Sequence, residues 1–112
     1  MSGKITAEIL DRLFADIAQK SQADPNTSYT ASLIAGAPEK PLRKLSEEVT
    51  EAMIEAMRSD KEALARESAD ILYHLLVVWQ ASGVQAEQVW QILANRQGVS
   101  GLIEKANRTK AE

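Results

Sequence analysis

The sequence predicts an all-α protein: four to five helices packed as one bundle-like domain over residues 1–112. Three observations predict it. Apolar residues recur at helical spacing nearly throughout, with no sustained period-two alternation. Glycine, proline and polar turn clusters fall at or near the ends of the periodic stretches. The 112 residues are 45% hydrophobic and 26% charged, enough apolar content for one core.

The first helix is expected over about Thr6 to Lys20, with Leu10, Leu13, Phe14 and Ile17 as its apolar stripe. Asp24-Pro25-Asn26 breaks it. Ser28 to Ala35 reads as a short helix ended by Gly36, and Pro38 and Pro41 mark the next start. The third helix runs from about Glu39 to Arg58, with Leu42, Leu45, Val49, Ala52, Met53 and Ala56 as its core face. Ser59-Asp60-Lys61-Glu62 reads as a turn and capping box. The fourth helix covers about Asp60 to Ala81 and ends at Gly83. A fifth, about Ala86 to Arg96, carries Val89, Ile92 and Leu93 and stops at Gly98. The tail over 100–112 is expected to be partly mobile. Trp79 and Trp90 are expected in the core or at a subunit contact.

Composition removes several functions. Zero cysteines exclude a disulfide scaffold, a zinc–thiolate site and a thiol nucleophile, and are compatible with a reducing cytoplasm. The stretch after Met1 has no apolar signal core. The longest apolar run, Ile71 to Trp79, is too short to span a bilayer, so no membrane partner is expected. The net charge is −3, and its excess sits in one segment: Glu39 to Asp70 holds nine acids and six bases. No basic stripe exists for nucleic acid.

Within that segment Glu47, Glu48, Glu51 and Glu55 gather on one side of the third helix. Glu67, Asp70 and His74 share a face of the fourth. Folding the two as an antiparallel hairpin about Ser59 sets Glu51 opposite Glu67, Glu48 opposite Asp70 and Lys44 opposite His74. The run around Asp70 is apolar on nearly every side, which predicts a buried setting. Buried, mutually repelling carboxylates are costly, and a divalent cation relieves both burdens. Oxygen donors without thiols favour Mg²⁺ or Mn²⁺ over zinc. The competing reading is a solvated or ion-paired hairpin. Lys40, Arg43 and Lys44 in the opening turns of the third helix oppose its dipole unless a bound anion offsets them; the alternative is side-chain pairing such as Lys44 to Glu48. His74 fits either a hydrogen-bonded core histidine or a site residue.

Glu47-Glu48-x-x-Glu51 followed by Glu67-x-x-Asp70 resembles the signature of the all-α nucleoside triphosphate pyrophosphohydrolase superfamily, which includes MazG-like proteins and dimeric dUTPases. The flanking Ser28-Tyr29-Thr30-Ala31-Ser32-Leu33, the Asp70-Ile71-Leu72-Tyr73-His74 run and Ser100-Gly101-Leu102-x-Glu104-Lys105 resemble, more narrowly, the phosphoribosyl-ATP pyrophosphohydrolases. The resemblance implies a MazG-like fold and a cytoplasmic, homodimeric hydrolase of the second step of histidine biosynthesis. Its expected reaction is Mg²⁺-assisted water attack at the α-phosphorus of phosphoribosyl-ATP, releasing pyrophosphate. It implies Glu48, Glu51, Glu67 and Asp70 as metal ligands, with Glu47 either supporting those ligands from behind or acting as a water-orienting base. Lys44, with Lys40 or Arg43, would hold phosphate, and Ser28, Tyr29, Thr30 and His74 would line the substrate site. Lys105 and Arg108 are candidate closing groups, the competing reading being simple solvation. Two alternatives stay open: a housecleaning nucleoside triphosphate pyrophosphohydrolase with the same metal site, and a non-catalytic helical dimerisation module.

Overall fold

A computed structural model of the chain describes residues 4–98 and Arg108. Among these, five helices follow one another without a strand: α1 (Ile9–Lys20), α2 (Tyr29–Ala35), α3 (Glu39–Met57), α4 (Lys61–Ser82) and α5 (Ala86–Arg96). The expected all-α class holds. Lys105 and nearly all of the 100–112 tail lie outside the described residues; Arg108 is helical and exposed.

Local chemistry sets the boundaries. The Thr6 hydroxyl accepts from the Glu8 amide at 3.2 Å, so Thr6 to Glu8 form a turn and α1 starts at Ile9, later than the periodicity predicts. Asp24 Oδ1 takes the Asn26 amide at 2.9 Å, which turns the chain toward α2. Ser28 caps α2 by accepting from Ala31 at 3.1 Å. A Cβ on Gly36 would stand 2.8 Å from that of Lys40, so glycine permits the close approach of α2 to the first turn of α3. Pro41 is tolerated at the third position of α3 because an amide there has no intrahelical acceptor.

The turn before α4 differs from the expected capping box. Ser59 lies outside the helix at φ 60°, and Asp60 alone provides the cap, accepting from Ala63 at 3.0 Å. Gly83, at φ 76°, ends α4 in the left-handed conformation that glycine adopts without penalty. At the start of α5 the Gln88 side chain accepts from the Gln85 amide at 2.7 Å, a cap that the sequence reading missed.

Ile17, Leu33, Leu76 and Val77 form the closed core, flanked by Leu10, Leu13, Phe14, Ile34, Tyr73 and Trp79. Burying each large aliphatic side chain stabilises the fold by about 1.5–3 kcal/mol. Phe14, Trp79 and Trp90 meet edge to face, with centroids 6.2 and 5.8 Å apart, and Trp90 Nε1 donates to Asp11 at 2.8 Å. This ties α5 to α1 and α4.

α3 departs from expectation. It makes its most extensive pairing with α4, yet contributes only Pro41 and Ala52 to the interior. Small residues, Ala52 and Ala63, are buried where the two helices meet. Leu42, Val49 and Met53, expected in the core, are exposed, as are Ile54 and Met57. Ile92 and Leu93 of α5 are exposed as well.

Candidate functional site

The α3–α4 hairpin brings the acids together much as the register predicts. Carboxylate oxygens of Glu48, Glu67 and Asp70 all lie within 4.8 Å of one another. Each helix supplies its pair at i, i+3 spacing, so Glu48 and Glu51 rise from successive turns of α3 and Glu67 and Asp70 from successive turns of α4. Glu67 interacts electrostatically with both Glu48 and Glu51 of the facing helix. The setting is less buried than the apolar run predicts: Glu48 and Glu67 are half-buried, while Glu51 and Asp70 are exposed.

The electrostatics of the cluster are unfavourable by themselves. Glu67 Oε2 is shut off from solvent and has no hydrogen-bond partner among the described residues. A hydrogen bond to Glu67, available only when a proton is shared, raises Glu51 above the ordinary 4.5; repulsion from Glu67, desolvation, and the charges of Glu47 and Asp70 raise it further. Glu67 is raised above 4.5 chiefly by its bond to Glu48; the bond to Glu51 opposes this, while desolvation and repulsion from Glu48 and Asp70 add to it. Converging hard oxygen donors, one of them enclosed and unpartnered, are compatible with a divalent cation. Glu47 stands apart, exposed and paired with Lys44 at 3.5 Å.

A second cluster forms where α2 crosses α4. Tyr29 stacks on Tyr73, with ring centroids 6.2 Å apart and planes within 17°. The Tyr29 hydroxyl is 3.1 Å from His74 Nε2, and His74 Nδ1 is 2.8 Å from the Asp70 carbonyl oxygen. Thr30 Oγ1 bonds the Tyr73 hydroxyl. Burial raises the Tyr73 phenol above 10.0, an effect the Thr30 bond partly offsets. His74 is thus bonded on both nitrogens and turned toward α2, not toward Lys44 as the hairpin register alone suggests. Ser28, Tyr29 and Thr30 line a hollow of about 310 Å³ together with Thr27 and Lys20. Lys20 was missed in the sequence because a base in the last turn of a helix already has a reason to be there, complementing the dipole.

The remaining bases are distributed around α3. Lys40 Nζ lies 3.4 Å from the Ser32 hydroxyl. Lys44 pairs with Glu47 rather than Glu48. Arg43 is exposed. The chain therefore has two chemically distinct zones, an acidic one on the α3–α4 hairpin and a hydroxyl-, phenol- and lysine-lined one at the start of α2, joined through His74 and the Asp70 backbone.

Comparison with known proteins gives a consistent result. The profile of the family described as phosphoribosyl-ATP pyrophosphohydrolase matches residues 10–97. A phosphoribosyl-ATP pyrophosphatase of Azospirillum brasilense is 50% identical over 105 residues, covering 94% of this chain and 95% of that protein. Proteins of the same name from Granulibacter bethesdensis and Cereibacter sphaeroides are each 48% identical. The first match covers 92% of this chain and 64% of the relative, the second 89% and 97%.

Proposed function

Since the chain belongs to the phosphoribosyl-ATP pyrophosphohydrolase family, we propose that it hydrolyses phosphoribosyl-ATP to phosphoribosyl-AMP and pyrophosphate, as an enzyme of histidine biosynthesis. The observation that carries this reading is the convergence of the Glu48, Glu67 and Asp70 carboxylates, with Glu67 Oε2 enclosed and without a hydrogen-bond partner among the described residues. Glu48, Glu51, Glu67 and Asp70 would hold Mg²⁺, or Mn²⁺ in its place. When bound, such an ion supplies charge neutralisation for phosphoryl oxygens and a lowered pKa for water.

The chain's own residues do the rest. Glu47, on the exposed flank of the acidic cluster, orients the attacking water. Lys44, with Lys40 and Arg43, holds phosphate oxygens of the leaving diphosphate, and Lys20 adds a further cation beside the hollow. Ser28, Tyr29 and Thr30 bind the substrate there. The Ser28 oxygen accepts from Ala31, which leaves its proton for the substrate, whereas Thr30 and Tyr73 share one bond in which either hydroxyl can donate. A second copy of the chain covers the exposed Leu42, Val49, Met53 and Met57 of α3; burying such a face is favourable by roughly 25 cal/mol per Å². The cysteine-free sequence suits a cytoplasmic location.

The test is pyrophosphate release followed with a coupled pyrophosphatase. Turnover of phosphoribosyl-ATP is expected with Mg²⁺ and is lost in excess chelator. Faster hydrolysis of dUTP or dATP than of phosphoribosyl-ATP overturns the substrate assignment.

A further inference from the structure

His74 is 5% exposed and one helical turn beyond Asp70. The Asp70 carbonyl oxygen, 2.8 Å from Nδ1, can only accept, so Nδ1 carries a proton. In the neutral ring Nε2 is then a lone pair. The Tyr29 hydroxyl, 3.1 Å away, therefore donates to it. Both imidazole nitrogens are filled, and neither is left for a ligand. The consequence passes to Tyr29, which is 51% exposed and lines the hollow. Its proton is committed to His74, so its oxygen can only accept from whatever enters. An oxygen in that state attracts a hydroxyl or amine donor and repels a phosphate oxygen. The Tyr73 ring beneath, held through its own hydroxyl by Thr30 and met edge-on by His74 at 5.0 Å, fixes the plane of the phenol.

We infer that His74 is a positioning residue that acts through Tyr29: it turns the phenol into an obligate acceptor, which selects a sugar hydroxyl of the substrate and leaves phosphate to the basic groups. The inference rests on the proposed reaction and refines which part of the substrate meets α2. It also explains why a buried histidine stands beside an acidic cluster that it does not join.

Steady-state kinetics on phosphoribosyl-ATP with Mg²⁺ test it, using wild type, Tyr29→Phe, His74→Phe, the double variant and His74→Gln. Tyr29→Phe, which removes the acceptor itself, is expected to raise KM about fivefold with kcat within about twofold, the worth of one net hydrogen bond. His74→Phe, which leaves the phenol oxygen but frees its proton, should raise KM by a smaller factor, about threefold. The double variant should match Tyr29→Phe, because without the phenol His74 has nothing to act through. His74→Gln, which keeps an acceptor near the Nε2 position, should return KM to within about twofold of wild type. Wild-type KM in His74→Phe, or effects that multiply in the double variant, overturn the inference while leaving the reaction standing. A wild type that does not release pyrophosphate from phosphoribosyl-ATP instead fells the reaction and the substrate role with it. Imidazole ¹⁵N shifts give a substrate-free reading, which also serves if His74→Phe does not fold. An Nδ1–H tautomer whose Nε2 resonance moves in Tyr29→Phe supports the link; an Nε2–H tautomer, or no movement, overturns it.

Discussion

Along α4, Leu76 and Val77 lie in a closed apolar core with Ile17 and Leu33, whereas two to three turns earlier Glu67 and Asp70 stand on a half-open face against Glu48 and Glu51. The first region gathers large apolar side chains, and among the described residues no enclosed polar atom there lacks a partner. The second gathers like charges, encloses an unpartnered oxygen and packs its helices through alanines. One helix thus carries the fold at one end and a destabilised, ligand-ready cluster at the other. Folding free energy from the first region sustains the repulsion in the second.

The contrast has opposite signatures in mutagenesis. Glu67→Gln is expected to lower kcat by about a hundredfold or more, since it removes a charged oxygen donor from the reacting end of the site. The same change takes away a repelling charge, so the metal-free protein should melt no lower than wild type by circular dichroism. Leu76→Ala should do the reverse. It leaves a cavity in the closed core and is expected to destabilise by about 2–5 kcal/mol in urea unfolding. Turnover per folded molecule should survive at low temperature. Equal thermal losses in the two variants would erase the distinction between the regions.

A pH titration probes the acidic region without mutation. Glu51 and Glu67 are raised above 4.5 in the folded chain. The folded state therefore holds their protons more tightly than the unfolded state does. Their contribution to stability is fully present below 4.5 and is lost as pH rises through the raised values. Metal-free protein should lose melting temperature across that window. Mg²⁺ or Mn²⁺ should restore it, increasingly at higher pH, because the cation binds the deprotonated cluster of the folded state. A melting temperature indifferent to the cation at neutral pH would mean that the cluster is only a solvated face.

The same contrast explains what the sequence could express. Helix existence was legible because each helix carries its own apolar spacing, and the acidic register was legible because a short hairpin leaves few alternatives. The fate of Leu42, Val49 and Met53 was not. Periodicity reports that a face is apolar, not what covers it, and here the α3–α4 seam uses Ala52 and Ala63 instead. The Tyr29–His74 bond joins residues 45 apart in sequence, and the hollow that adds Lys20 to Ser28–Thr30 arises only when α1 and α2 turn back on each other. Such long-range links have no local spacing to betray them. Burial of the carboxylates was overestimated for a related reason: hydrophobicity around Asp70 belongs mostly to the side of α4 that faces α1 and α2.

The turn that joins the two helices of the acidic region should respond most mildly. Ser59 holds φ at 60°, where a side chain costs about 1 kcal/mol and glycine pays little. Ser59→Gly relieves that cost but adds freedom to the unfolded chain, worth a comparable fraction of a kcal/mol in the opposite direction. The net expectation is a stabilisation of about 0.5 kcal/mol in urea unfolding. Asp60 keeps its cap on Ala63, so the α3–α4 register, and with it pyrophosphate release, should be unchanged. Ser59→Pro cannot adopt the left-handed conformation at all. It should destabilise the turn and impair turnover together, because Glu48 and Glu51 meet Glu67 and Asp70 only when the hairpin closes in this register.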